Sequence, residues 1–186
     1  MNFYFEIKLL ANVELTERIL MNEAYAQLHT ALATFKTTKV GFSFPGYSKQ
    51  GLGATVRLHS DAEMLSNLLE YIENNRYLRN LRDYMSITEC LSVPTDCQYI
   101  TFKRKQPSLS SAKIRRLNAR GRIDNKQMQV MLSDQKMLKE PFIRLKSTST
   151  NQRYLLFIQQ GKVVEEPITG DFNTYGLSKN ATVPWF

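Results

Sequence analysis

The chain has 186 residues, 42% of them hydrophobic and 23% charged, which excludes a disordered chain and allows one large domain or two small ones with a buried core. Cys90 and Cys97 are too few for a disulfide framework and read as the reduced thiols of a cytoplasmic protein; neither a secretion-signal pattern nor an apolar run of membrane-span length is present. The net charge of +8 is concentrated, because eight of the 25 Lys and Arg lie between Gln98 and Ile123 without one Asp or Glu, and the remaining 17 balance the 17 acidic residues.

Residues 3–10 alternate Phe3, Phe5, Ile7 and Leu9 against Tyr4, Glu6 and Lys8, as a strand does. Residues 15–35 carry Leu20, Ala24, Leu28, Ala31 and Phe35 at helical spacing. "KVGFSFP" and "ATVRLHS" read as a second and a third strand, the first of them stopped by Pro45. Ser60 and Glu63 have the spacing of a capping box before a helix with Leu65, Leu68, Leu69 and Ile72. "SITECLSV" alternates as a fourth strand. The order is β-α-β-β-α-β, the ferredoxin-like arrangement, over residues 1–94.

Residues 95–186 differ. "QYITFKRKQ" reads as a strand or extended arm. "SLSSAKIRRLNARG" reads as a short basic helix capped by Ser110 or Ser111 and stopped by Gly121. "DNKQMQVMLSD" is a further helix with Asp124 as its cap, and "FIRLKSTSTNQRYLLFIQQGKVV" is two strands around a polar turn. The expected class is α+β, with the first domain followed by a basic α/β region containing an Arg-rich helix. Complete absence of acids from the basic segment favours nucleic acid as the partner.

On a helical wheel of about 100° per residue, His29 falls on the outward side beside Tyr25 and Ala33. Such a histidine is either a plain surface residue or a proton-transfer group. His59 sits on the strand face opposite Val56 and Leu58, beside Arg57, and reads even more readily as a plain surface residue. The chain has no phosphate-binding glycine loop, no H-E-x-x-H, no C-x-x-C and no paired carboxylates for two metals, so no metal or cofactor is expected. RNA permits chemistry without either, because its own 2′-hydroxyl can attack the adjacent phosphate when a base and phosphate donors are positioned. Ser147, Thr148, Ser149 and Thr150, flanked by Lys146 and Arg153, are either a polar turn or a phosphate-holding loop. Tyr175 beside Gly176 is either a packing residue or part of a site.

"VGFSFP" after the histidine-bearing helix, the basic arm and helix, "S-T-S-T-N-Q" and the terminal "YGLSK…VPWF" together resemble the CRISPR-associated endoribonuclease that processes the repeat RNA of type I-F systems, over nearly the full length. The resemblance implies a metal-independent enzyme that cuts repeat RNA at the base of a hairpin by 2′-hydroxyl attack. It would leave a 2′,3′-cyclic phosphate and a 5′-hydroxyl, and stay with its product and other subunits in a type I-F surveillance complex. A non-catalytic hairpin-binding subunit is the alternative. The resemblance puts the catalytic histidine at His29, the serine that holds the 2′-hydroxyl at Ser147 and the orienting tyrosine at Tyr175. Ser149 and Thr150 match phosphate-contacting positions. Arg104 and Gln106 match the pair that reads base edges at the foot of the stem. Tyr154 matches a phenylalanine that stacks beneath the terminal base pair. Lys113, Arg115, Arg116 and Arg120 lie on the helix expected in the major groove, which here carries Leu117, Asn118 and Gly121 at or near basic positions.

Overall fold

A computed structural model describes residues 1–106, 109, 111–133, 138–147 and 150–186. The chain is an α+β protein. Strand β1 (Phe3–Leu9) is central to the first sheet because its inward residues Phe5, Ile7 and Leu9 are buried while Glu6 and Lys8 stand on the other face. Helix α1 (Glu17–Phe35), β2 (Gly41–Ser43), β3 (Thr55–Ser60), α2 (Ala62–Asn74), α3 (Arg76–Arg79) and β4 (Met85–Ile87) follow. The order across the sheet is β2-β3-β1-β4, with every pairing antiparallel.

Three local expectations change. The cap of α2 is Asp61, whose side chain accepts the Met64 N–H at 2.9 Å, whereas Ser60 ends β3 and donates to the Lys39 carbonyl. The fourth strand divides into β4 and β5 (Leu91–Ser92), both paired with β1, because Thr88 bonds the Glu6 backbone with its amide and its side-chain oxygen and the chain breaks stride between them. Tyr25 is fully buried, not solvent-facing. Its ring packs edge-on to Phe42, at 5.6 Å, and its side of α1 is covered by the second half of the chain.

"QYITFKRKQ" switches sheets within a few residues. β6 (Gln98–Ile100) pairs with β10 (Val183–Trp185), whereas β7 (Phe102–Lys105) joins β9 (Arg153–Gln160), which also pairs with β8 (Phe142–Lys146). The second half docks on α1 through the Asn22 side-chain oxygen, which accepts the Arg144 N–H at 2.9 Å. Buried Ile100, Phe102, Ile143, Leu145, Leu156 and Ile158 continue the core of the first sheet, so one apolar interior joins both halves.

Between β7 and β8 stand α4 (Ser111–Ala119) and α5 (Asn125–Ser133), packed on each other. Ser110 lies outside the described residues, and Ser111 is the first residue of α4. Gly121, at φ +65°, closes α4: its N–H bonds the Asn118 carbonyl and the Arg122 N–H reaches back to Leu117. Asp124 caps α5 as expected, with its carboxylate on the Gln127 N–H and the Gln127 side chain returning to the Asp124 N–H. Among the described residues, no helix is long and apolar enough to cross a membrane.

Candidate active site

The turn from Asn173 to Leu177 fixes what stands above α1. The Asn173 side-chain oxygen accepts from the N–H groups of Tyr175 and Leu177, and its backbone bonds Gly176 and Leu177. Gly176 has φ +66°, and a Cβ there would lie 2.4 Å from Phe42 Cγ, so the position requires glycine. The Gly176 carbonyl accepts the Phe42 N–H at 2.8 Å, tying the turn to β2. From below, the buried Tyr25 hydroxyl donates to the Tyr175 carbonyl at 2.6 Å.

His29, one helical turn beyond Tyr25, lies under this turn. Its Nδ1 is 2.8 Å from the Thr174 carbonyl oxygen. A carbonyl oxygen can only accept, so Nδ1 carries the proton, and the neutral ring keeps its lone pair on Nε2. The Tyr175 ring lies flat on the imidazole, 4.0 Å between centroids and 13° between planes. Tyr175 and Tyr154 share a hydroxyl–hydroxyl bond of 2.8 Å, and the Arg104 guanidinium carbon is 5.7 Å from the Tyr175 ring centroid. Burial, together with the bond to Tyr175, pushes the Tyr154 hydroxyl up to about 12 against the opposing charge of Arg104, so it stays protonated at neutral pH. Tyr25 is raised as well, by its burial. The half-buried imidazole thus has a fixed tautomer, a fixed ring plane and a cation nearby.

Four expected site residues therefore meet: His29, Tyr175, Tyr154 and Arg104. Ser147 begins the turn between β8 and β9, beyond the Lys146–Arg153 pair and two residues along β8 from the partner of Tyr154. Its hydroxyl accepts the N–H of Thr150 at 3.2 Å; Thr150 is exposed, and Ser149 lies outside the described residues, as does Thr148. Gln106 is exposed just past β7. Lys113, Arg115, Arg116 and Arg120 are exposed on and just after α4, an element apart from the His29 cluster. Among the described residues no three His, Cys, Asp or Glu side chains are grouped to hold a metal ion.

His59 is built differently. It is fully buried and not at the surface as expected, because its face of the sheet is covered by the Tyr4 ring, 6.2 Å away and itself packed on Phe186. Its Nε2 lies 2.8 Å from the Ser43 hydroxyl, and its Nδ1 has no hydrogen-bond partner among the described residues. Burial first, then the Arg57 charge, hold it well below the ordinary 6.5, so it is a neutral packing residue at physiological pH. Sequence reasoning missed Thr174, Asn173 and Tyr25. Only Tyr25 left a trace, lying four residues before His29 on the same helix face.

A family model described as "CRISPR-associated protein (Cas_Csy4)" matches residues 4–186. A CRISPR-associated endonuclease Cas6/Csy4 from Escherichia coli (strain UTI89 / UPEC) is 32% identical over 189 residues, covering 100% of both chains. A protein of the same name from Pseudomonas aeruginosa (strain UCBPP-PA14) is 32% identical over 191 residues, again across 100% of both. The turn over His29 and the strands that carry Tyr154 and Arg104 all fall within these matches, and the chain belongs to the Cas_Csy4 family of CRISPR-associated proteins.

Proposed function

We propose that this protein is a metal-independent endoribonuclease that cuts CRISPR repeat RNA at the base of a hairpin and keeps the product as a subunit of a cytoplasmic type I-F complex. The observation that carries this reading is the bond from His29 Nδ1 to the Thr174 carbonyl, which leaves Nε2 as a base on a ring held flat by Tyr175. A hairpin-binding subunit without activity would not need an imidazole tied down from two directions.

In the step envisaged, Nε2 takes the proton from the 2′-hydroxyl upstream of the cut. The 2′-oxygen bonds to phosphorus, the bond from phosphorus to the 5′-oxygen breaks, and that oxygen takes up a proton. The products are a 2′,3′-cyclic phosphate and a 5′-hydroxyl. Ser147 holds the attacking hydroxyl, with Ser149 and Thr150 on neighbouring phosphate oxygens. Arg104 and Gln106 read the foot of the stem, Tyr154 supports its last base pair, and Lys113, Arg115, Arg116 and Arg120 grip the stem backbone. Residues 1–94 act as a ferredoxin-like scaffold, a reading supported by the strand order β2-β3-β1-β4, and residues 95–186 act as the RNA-recognition region. A repeat RNA with a single 2′-deoxynucleotide upstream of the cut tests the step. It should bind with unchanged affinity and stay intact; cleavage of that RNA would contradict 2′-hydroxyl attack.

A further inference from the structure

The three-stranded sheet β7-β9-β8 has a second face, turned away from the core. Its inner face is made by Ile143, Leu145, Leu156 and Ile158, all buried. On the outer face, register aligns Lys105, Phe157 and Phe142 in one row across the three strands, Leu155 and Arg144 in the next, and Arg153 and Lys146 in the last. Arg144, Lys146 and Arg153 are exposed, and Leu155 keeps 44% of its surface in solvent. The half-buried rings of Phe142 and Phe157 are 5.4 Å apart, and the Arg144 guanidinium is 5.9 Å from the Phe142 centroid.

A cross-strand aromatic pair can serve the sheet alone. Two further features are not accounted for that way. None of the three strands contains an Asp or Glu, although an ordinary solvated face mixes both signs. Arg153 and Lys146 face each other directly, a like-charge pairing that opposes the sheet unless an anion lies across it. Aromatic rings at the centre with cations around them suit unstacked bases and their phosphates; a duplex offers no free base faces to such a surface.

We propose that this outer face binds the unpaired RNA strand that flanks the hairpin. The claim rests on the RNA reading above and extends it from the stem to the single strand leaving it. The test uses the full chain and a hairpin RNA blocked by a 2′-deoxynucleotide at the cut, either bare or carrying an unpaired tail of about ten nucleotides at one end or the other, within the usual footprint for such surfaces. One tail should tighten binding by about 10-fold, as stacking of a single base on an aromatic ring can supply. F142L/F157L and R144Q should each lose that gain while binding the bare blocked hairpin, and cutting the corresponding all-ribose repeat RNA, as the unaltered protein does, which also reports on their folding. An unstructured RNA of roughly 12 nucleotides, also within that footprint, should bind the unaltered protein and not the variants, even if the hairpin went uncut. No gain from either tail, or an equal gain in both variants, would overturn the proposal. Loss of binding to another subunit of the complex, with no effect of the tails, would assign the face to protein instead.

Discussion

The imidazole of His29 owes its tautomer to a backbone carbonyl 145 residues away in sequence, and that carbonyl owes its position to Gly176. Gly176→Ala adds a Cβ where the Phe42 ring stands and puts an L side chain at φ +66°. The turn must shift, and a displacement of about 1 Å at a catalytic group costs on the order of 10²-fold in rate. Single-turnover cleavage should slow by that factor while hairpin affinity holds; an unchanged rate would separate the turn from catalysis. The buried His59 carries a different prediction. Unfolded, it takes a proton below its ordinary 6.5, whereas burial keeps the folded ring neutral to much lower pH. The unfolded state then binds more protons, so stability falls as pH drops below 6.5, and the group makes no such difference above about pH 7.5. His59→Gln removes the titration. Urea unfolding from pH 7.5 to 5 should show the unaltered protein losing more stability than this variant, and parallel curves would contradict the assignment.

Helices α4 and α5 meet at a junction made by Gly121 and by the reciprocal bonds of Asp124 and Gln127. Asp124→Ala removes that cap at a cost of about 0.5–2 kcal/mol to α5 and its packing on α4. Hairpin affinity should weaken, while the single-turnover rate at saturating RNA should not change, because the His29 cluster lies on other elements. These two helices were legible in the sequence because their start and stop signals are local. The cap of α2 was read one residue early, since Ser60 and Asp61 can both cap and only the end of β3 distinguishes them. The divided fourth strand was hidden because alternation alone does not register a break such as the one at Thr88. Tyr25 was misread for a further reason. A helical wheel reports one apolar stripe, and α1 is packed on a second side by elements far along the chain.

Charge and the join between the halves belong to the molecule as a whole. His29, Tyr154, Arg104 and Tyr175 could each be picked out as candidates from residue type and resemblance. Their meeting could not be read from spacing, because α1, β7, β9 and the 173–177 turn come together only when the two halves share a core. The basic segment was fully legible, since it is a matter of counting. If about five of its eight positive charges meet phosphates, log affinity should fall against log salt with a slope of roughly −4. Arg116→Ala or Arg120→Ala should make that slope shallower by about one unit. Arg104, held near the Tyr175 ring, should act on specificity instead. Its loss should cost about 1–3 kcal/mol against the cognate hairpin and relax the preference at the closing base pair. Equal weakening of the cognate hairpin and of one with that pair inverted would reduce Arg104 to a phosphate contact.

The most direct test of His29 as a metal-free base is single-turnover cleavage of the cognate repeat hairpin in EDTA, with a binding titration alongside. The unaltered protein should cut and leave a 2′,3′-cyclic phosphate. His29→Ala should bind equally well and cut about 10²-fold more slowly or worse, the usual loss when an acid–base group is removed. An unaltered protein that stays inert until magnesium is added, or a His29→Ala variant that cuts at full speed, would contradict the account.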